Sequence, residues 1–236
     1  MGSVFKFKQF VVDQGNCAMK INTDGVLLGG WATEANVSAV LDIGTGTGVI
    51  ALMLAQRYPG AAVDAIEIDE VAAQQAAYNF EVAPFTNSMQ VLEGSFEAYQ
   101  DSDTRYDLIV SNPPFYTNAL HNPDARKKLA RHADAPFFEK LIAFVAAKLN
   151  DNGSFHCIVP TELADWMVAT LLPMHQLFLQ AELEIRSFAE EPVIRKILKI
   201  GKEEKRLQQD GLAIYAERGV YSEAYKTVLK PFFLAF

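Results

Sequence analysis

A chain of 236 residues, half of them apolar, is long enough for one α/β domain with a sizeable core, and residues 1–236 are read as a single domain. Its 29 acidic side chains against 21 basic ones give a net charge of -8, which argues against a general polyanion binder, because affinity for nucleic acid rests on cations that neutralise phosphates. With no apolar run long enough for a bilayer, no signal-peptide pattern in MGSVFKFKQF, two distant cysteines (Cys17 and Cys157) and four histidines outside any ligand-type spacing, the expectation is a cytoplasmic protein with packed thiols, no membrane span and no metal.

From about residue 38 onward, short β-branched runs alternate with helical patterns, the signature of βαβ units and a parallel sheet. Ala39–Ile43 is the first strand, residues 44–48 form a tight glycine turn, and residues 49–58 carry Ile50, Leu54 and Tyr58 at helical spacing until Pro59 and Gly60 stop them. A second strand is expected at 62–68, a helix from Glu70 to about Phe80, a third strand at 90–93 and a fourth at Tyr106–Ser111. Residues 116–136, rich in Asn, Asp, Pro and cations, are expected to form a long functional loop. Phe138, Leu141, Ile142, Val145 and Leu149 then mark one helical face, Asn152-Gly153 a turn, 154–159 a fifth strand and 163–172 a helix. Leu183 and Ile185 alternate with Glu182, Glu184 and Arg186, and 193–200 is again strand-like, which predicts antiparallel strands at the sheet edge.

Three stretches carry chemistry. The first, Asp42-Ile43-Gly44-Thr45-Gly46-Thr47-Gly48, is a glycine turn between strand and helix, where the backbone can approach a ligand closely. A dinucleotide fingerprint needs glycine where Val49 stands, so the pattern is DxGxGxG, although a nicotinamide site or a purely structural turn remains an alternative. The second is Glu67 at the end of the next strand, where a carboxylate can accept both hydroxyls of a ribose; Asp69 is the alternative partner, or a helix N-cap. Ser95 and Phe96, past the third strand, lie along the same edge and can flank a ring, with Phe96 as plain core the competing reading.

The third and most specific stretch is Ser111-Asn112-Pro113-Pro114-Phe115, at the end of the fourth strand. Two prolines fix φ and remove two donors, leaving rigid carbonyls free. The Asn112 side-chain oxygen and the Pro113 carbonyl can hold both hydrogens of an exocyclic amine while its lone pair turns to a sulfonium methyl, and Phe115 can stack on the planar acceptor. A proline turn with a buried aromatic is the bland alternative.

In this order and spacing the three stretches resemble the class I S-adenosylmethionine-dependent methyltransferases. That resemblance implies a Rossmann-like α/β fold: a mostly parallel seven-stranded sheet with an antiparallel C-terminal edge and helices on both faces. It implies S-adenosyl-L-methionine as cofactor, held by Asp42, Gly44, Gly46, Gly48, Glu67, Ser95, Phe96 and Asn112, with Asn112, Pro113, Pro114 and Phe115 as the catalytic element. Phe10, Cys17-Ala18-Met19-Lys20, Thr23-Asp24-Gly25-Val26-Leu27-Leu28-Gly29, Trp31-Ala32 and Leu229-Lys230-Pro231-Phe232-Phe233 look like the bacterial tRNA(Val) adenine-N(6) methyltransferase family, across nearly the whole chain. This narrower resemblance implies a tRNA substrate modified at the adenosine next to the anticodon, and a segment 1–34 that closes over the cofactor with Lys20, Thr23 and Asp24 in its pocket. Residues 35–175 are then the catalytic core, and 176–236 the antiparallel strands and C-terminal segment. From the residues alone, Asn22-Thr23-Asp24-Gly25 is a polar turn or helix cap.

Arg126, Lys127, Lys128 and Arg131, with His132, flank the proline element and are the candidate phosphate contacts; Arg195, Lys196, Lys199, Lys202, Lys205 and Arg206 are a second group, interrupted by Glu203 and Glu204, that reads more readily as a solvated face. Methylation of a protein glutamine or of another RNA base, and non-catalytic nucleoside binding, are the competing functions. The expected state is a monomer or weak homodimer.

Overall fold

The computed structural model describes residues 4–114 and 123–236, the stretch 123–134 by its backbone alone. In chain order the elements are β1 (Val4–Lys6), β2 (Val11–Asp13), α1 (Thr23–Trp31), β3 (Ala39–Ile43), α2 (Val49–Arg57), β4 (Ala62–Glu67), α3 (Glu70–Glu81), β5 (Met89–Glu93), β6 (Tyr106–Ser111) and α4 (Pro123–Lys148). There follow β7 (Leu149–Val159), α5 (Thr161–Trp166), α6 (Leu172–Met174), β8 (Phe178–Arg186), β9 (Arg195–Gly201), β10 (Gln208–Ala213), β11 (Tyr215–Glu217), β12 (Val220–Tyr221) and α7 (Glu223–Leu229).

The main sheet has the order β10-β8-β9-β7-β6-β3-β4-β5. Strands β3 to β7 run parallel, and β9 lies antiparallel to both β7 and β8. The seven expected strands are thus β3 to β9, and an eighth, β10, extends the edge in parallel with β8. Alternate residues of each strand face opposite layers, as the strand period of two demands. Val40, Val63 and Leu108 join Leu27, Leu52 and Leu229 of α1, α2 and α7 in one core cluster. Leu41, Ile109 and Phe155 join Phe138, Leu141 and Leu163 of α4 and α5 in the other. Helices therefore cover both faces.

The chain starts in the sheet's middle at β3, walks outward through β4 and β5, then returns to β6 on the other side of β3. That reversal is a topological switch point, and it opens a crevice at the carboxyl ends of β3, β4 and β6. Register fixes what faces it. Ile43 pairs with Ile66 on one side and Ser111 on the other, so the next residues, Gly44, Glu67 and Asn112, emerge side by side.

Two local expectations are corrected. The long loop at 116–136 is helical from 123 onward, because α4 starts at Pro123 and carries Pro136 inside it; residues 116–122 lie outside the described residues. Proline removes one helical hydrogen bond, but Phe138, Leu141, Ile142 and Val145 immediately beyond it are fully buried, and that packing outweighs the local cost. Asn152-Gly153 does not leave the sheet. It lies within β7, where the register moves from Tyr106↔Leu149 to Leu108↔Ser154 and the extra residues bulge.

Candidate cofactor and acceptor site

The glycine turn wraps the end of β3. Gly44, Gly46 and Gly48 all have left-handed φ, at 74°, 55° and 81°, a region that costs other residues about 1–2 kcal/mol. Their tasks differ. A Cβ on Gly44 or Gly46 would meet nothing within 4 Å, whereas one on Gly48 would lie 2.6 Å from Cε1 of Phe80. Gly44 and Gly46 line open space, while Gly48 caps α2 and lets α3 pack against the turn.

Two groups hold the turn from below. Asp42 is wholly buried; its Oδ2 accepts the Thr45 hydroxyl at 2.6 Å, and burial pushes its carboxyl up to about 7. Asp42 is absent from the cavity wall, so it acts on the turn through Thr45. Glu67, 8% exposed, accepts the Gly46 N–H at 2.8 Å through one oxygen and the Asp69 N–H at 3.0 Å through the other. Asp69 caps α3 by accepting the Ala72 N–H at 2.8 Å. Both carboxylates line the cavity.

That cavity, of about 390 Å³, is bounded by Gly44 and Gly46, by Glu67, Ile68 and Asp69, by Ser95 and Phe96, and by Asn112 and Pro114. Phe96 is both wall and core, since it is 6% exposed and lies edge-on to Phe137 and Phe144. The Ser95 hydroxyl caps the short turn Phe96–Tyr99. Cys17, Ala18 and Met19 close the cavity from the N-terminal segment. Burial and the neighbouring Glu67, Asp69 and Asp13 raise the Cys17 thiol, which keeps it protonated and poorly nucleophilic.

A second recess, of about 400 Å³, adjoins the first and shares Met19, Asn112 and Pro114 with it. Its other walls are Asn22, Thr23, Asp24, Pro113 and Arg195. Asn22 caps α1 by accepting the Gly25 N–H at 2.8 Å, as the polar-turn reading anticipates. Thr23 and Asp24, expected in the cofactor pocket, line this second recess, and Lys20 is an exposed residue on the wall of neither. Phe115 and the side chains of Arg126, Lys127, Lys128 and Arg131 lie outside the described residues.

A family model described as methyltransferase small domain matches residues 25–164. Curated relatives named tRNA1(Val) (adenine(37)-N6)-methyltransferase are 49% identical over all of both chains in Pedobacter heparinus, and 39% identical in Bacteroides thetaiotaomicron over 98% of this chain and 97% of that one. The chain belongs to this methyltransferase family. Solved structures under 25% identical share its fold. A predicted O-methyltransferase of Agrobacterium tumefaciens has a TM-score of 0.66 at 18% identity, covering 89% of this chain and 96% of that one. A ribosomal protein L11 methylase of Lactobacillus delbrueckii has a TM-score of 0.59 at 19% identity, covering 82% and 84%.

The cofactor of this methyltransferase is S-adenosylmethionine, and the first cavity has acceptors and room that fit it. Gly44 and Gly46 leave space where any side chain would intrude, and Glu67 offers anionic acceptors at the strand end. Ile68 is an apolar side chain 73% exposed on the wall, and Met19 another at 59%. Ile68 does not stand out in sequence, because an isolated Ile after an acidic strand end looks like one more strand residue.

Most of the second group of cations is paired to carboxylates. Lys196 meets Asp165 at 2.9 Å and Glu182 at 3.4 Å, Lys199 meets Glu34 at 2.9 Å, and Lys202 meets Asp151 at 3.3 Å. Arg195 pairs with Asp24 at 3.0 Å, across 171 residues of sequence, and among the described residues it alone of the group lines the second recess. Among the described residues no group of His, Cys, Asp and Glu has metal-binding geometry, and no helix is long and apolar enough to cross a membrane.

Proposed function

We propose that this methyltransferase transfers a methyl group to the exocyclic amine of an adenine in tRNA, at the position next to the anticodon. The observation that carries the reaction is the junction of the two recesses at Asn112, Pro114 and Met19, which brings a donor cavity and an acceptor cavity to one side-chain amide. The names of relatives aligned from end to end support the tRNA.

When bound, the cofactor would supply an electrophilic methyl carbon and a neutral sulfide leaving group that keeps the electron pair of the broken S–C bond. The side-chain oxygen of Asn112 and the Pro113 carbonyl accept the two N–H groups of the amine and turn its lone pair inward. As the N–C bond forms, positive charge grows on the nitrogen beside oxygens that are already oriented, so stabilising it requires little reorganisation. The surplus proton leaves to water at the mouth. Phe115 stacks on the base, Glu67 holds the ribose of the cofactor, and Arg126, Lys127, Lys128 and Arg131 on α4 meet RNA phosphates. The enzyme works in the cytoplasm as a monomer or weak homodimer, without a metal.

Incubation with methyl-labelled S-adenosylmethionine and, separately, unmodified tRNA, ribosomal RNA and total protein tests this reading. Label is expected in N6-methyladenosine from tRNA. Label in glutamine or in a ribosomal RNA base, with none in tRNA, replaces it.

A further inference from the structure

The acceptor recess contains an ion pair that the reaction itself does not require. Asp24, in the first turn of α1, and Arg195, the first residue of β9, meet at 3.0 Å between Oδ2 and Nε, each side chain about a quarter exposed. Arg195 also donates through Nη1 to the Ile194 carbonyl at 2.8 Å. These two anchors fix the guanidinium at the wall that also holds Asn22, Thr23 and Pro113.

The recess is too polar for a simple base slot. A planar base needs apolar faces, yet Asn22, Thr23, Asp24 and Arg195 line the part away from the junction, and Arg195 is the only cation on that wall among the described residues. A nucleoside whose amine reaches Asn112 must carry its sugar and flanking phosphate outward, since the two ends of a nucleotide lie on opposite sides of the base. An unpaired Asp24 on that path would repel the phosphate. Ion pairing neutralises it and holds at the recess wall a guanidinium, a planar cation whose chemistry suits an anionic oxygen.

We propose that Arg195, oriented by Asp24, is an acceptor-positioning residue that binds the phosphate flanking the target adenosine. This rests on the RNA reading given above. The neighbouring Lys196, Lys199 and Lys202 take no part, since they line neither recess.

The test compares Arg195→Gln, Arg195→Lys and the control Lys202→Gln with the unaltered enzyme, measuring KM and kcat for tRNA at several salt concentrations, cofactor affinity by calorimetry, and Tm. For Arg195→Gln, KM for tRNA is expected to rise about tenfold with kcat within about twofold. The slope of log KM against log salt should fall by about one, the signature of one lost phosphate contact, with cofactor affinity unchanged. Arg195→Lys restores the slope, and Lys202→Gln behaves as the unaltered enzyme. Unaltered KM and slope in Arg195→Gln, or a loss of Tm and cofactor affinity with an unchanged slope, would make the pair a structural clamp and overturn the proposal. If the unaltered enzyme fails to methylate tRNA, the RNA reading falls and this inference with it; methylation of tRNA with an indifferent Arg195→Gln removes the inference alone.

Discussion

Glu67 grips the glycine turn it faces: its Oε2 accepts the backbone N–H of Gly46 at 2.8 Å, so the carboxylate at the end of β4 and the turn after β3 form one unit. A carboxylate has about four lone-pair sites, and two backbone N–H groups use only part of that capacity. The remainder faces the cavity.

Glu67→Ala is therefore expected to weaken S-adenosylmethionine binding by about 1.5–3 kcal/mol, the range for hydrogen bonds to a charged group. Titration calorimetry reads this directly. An unchanged affinity would remove Glu67 from ribose binding and leave it as a brace for the turn.

The glycines of the turn should separate stability from binding. Gly48→Ala places a methyl 2.6 Å from Phe80 at a left-handed φ, so the fold is expected to lose about 1–3 kcal/mol in urea denaturation. Gly46→Ala meets no protein atom within 4 Å, so it should cost only about 1 kcal/mol of backbone strain but weaken cofactor binding more than about tenfold. The opposite pattern would exchange their roles.

Much of this site is legible in sequence, for a physical reason. β3 and β6 are short β-branched runs closed by turn residues, and both match their expected bounds, Ala39–Ile43 and Tyr106–Ser111. The crevice follows because ligand-facing residues sit just past strand ends. What is not legible depends on partners far away in the chain. Nothing local links Asp24 to Arg195, and nothing in Gln208-Gln209-Asp210-Gly211 announces a strand, since β10 is exposed along most of its length and joins the sheet through its backbone. Pro136 and the polar run before it resemble a loop because the buried residues that sustain α4 come after it.

Asn112 should matter to chemistry more than to cofactor binding, because its oxygen is needed most as charge develops on the amine. Asn112→Ala is expected to lower kcat about a hundredfold or more, the scale for one preorganised polar group, while cofactor affinity changes less. Single-turnover rates with saturating cofactor separate the two. Full activity in this variant would sink the amine-holding mechanism.

Asp42 gives the fold a specific pH dependence. Burial raises its carboxyl from 3.8 to about 7, above its unfolded value, so its contribution to stability is complete below about pH 4 and lost as pH rises to about 7. Asp42→Asn carries no charge and escapes this loss. The difference in unfolding free energy should move in favour of Asp42→Asn by up to roughly 4 kcal/mol between pH 4 and pH 8. Urea denaturation at both ends measures it, and a difference that stays constant with pH would show that folding does not raise the Asp42 carboxyl.

The last prediction concerns how an acidic protein uses RNA. A net charge of -8 repels a polyanion at long range, so phosphate contacts must come from a few cations near the site, and Arg126, Lys127, Lys128 and Arg131 share the first part of α4, the helix that follows the proline element. These four contacts would contribute roughly -3 to -4 to the salt slope, and each cation removed should reduce it by about one. Such weak electrostatics cannot select the acceptor. Selection then falls to the folded shape of the RNA and to a base already unpaired in a loop, which costs less to present than one drawn from a duplex. A folded tRNA should be methylated faster than an isolated anticodon stem-loop, and both faster than duplex DNA. With Lys127 and Lys128 both changed to Glu, the rate on tRNA should fall and the salt dependence flatten, while cofactor affinity, which rests on the groups at the ends of β3 and β4, stays unchanged. Equal rates on all three acceptors, or a double variant with unaltered rate and slope, would leave this part of α4 as a solvated surface and return the question of acceptor to proteins.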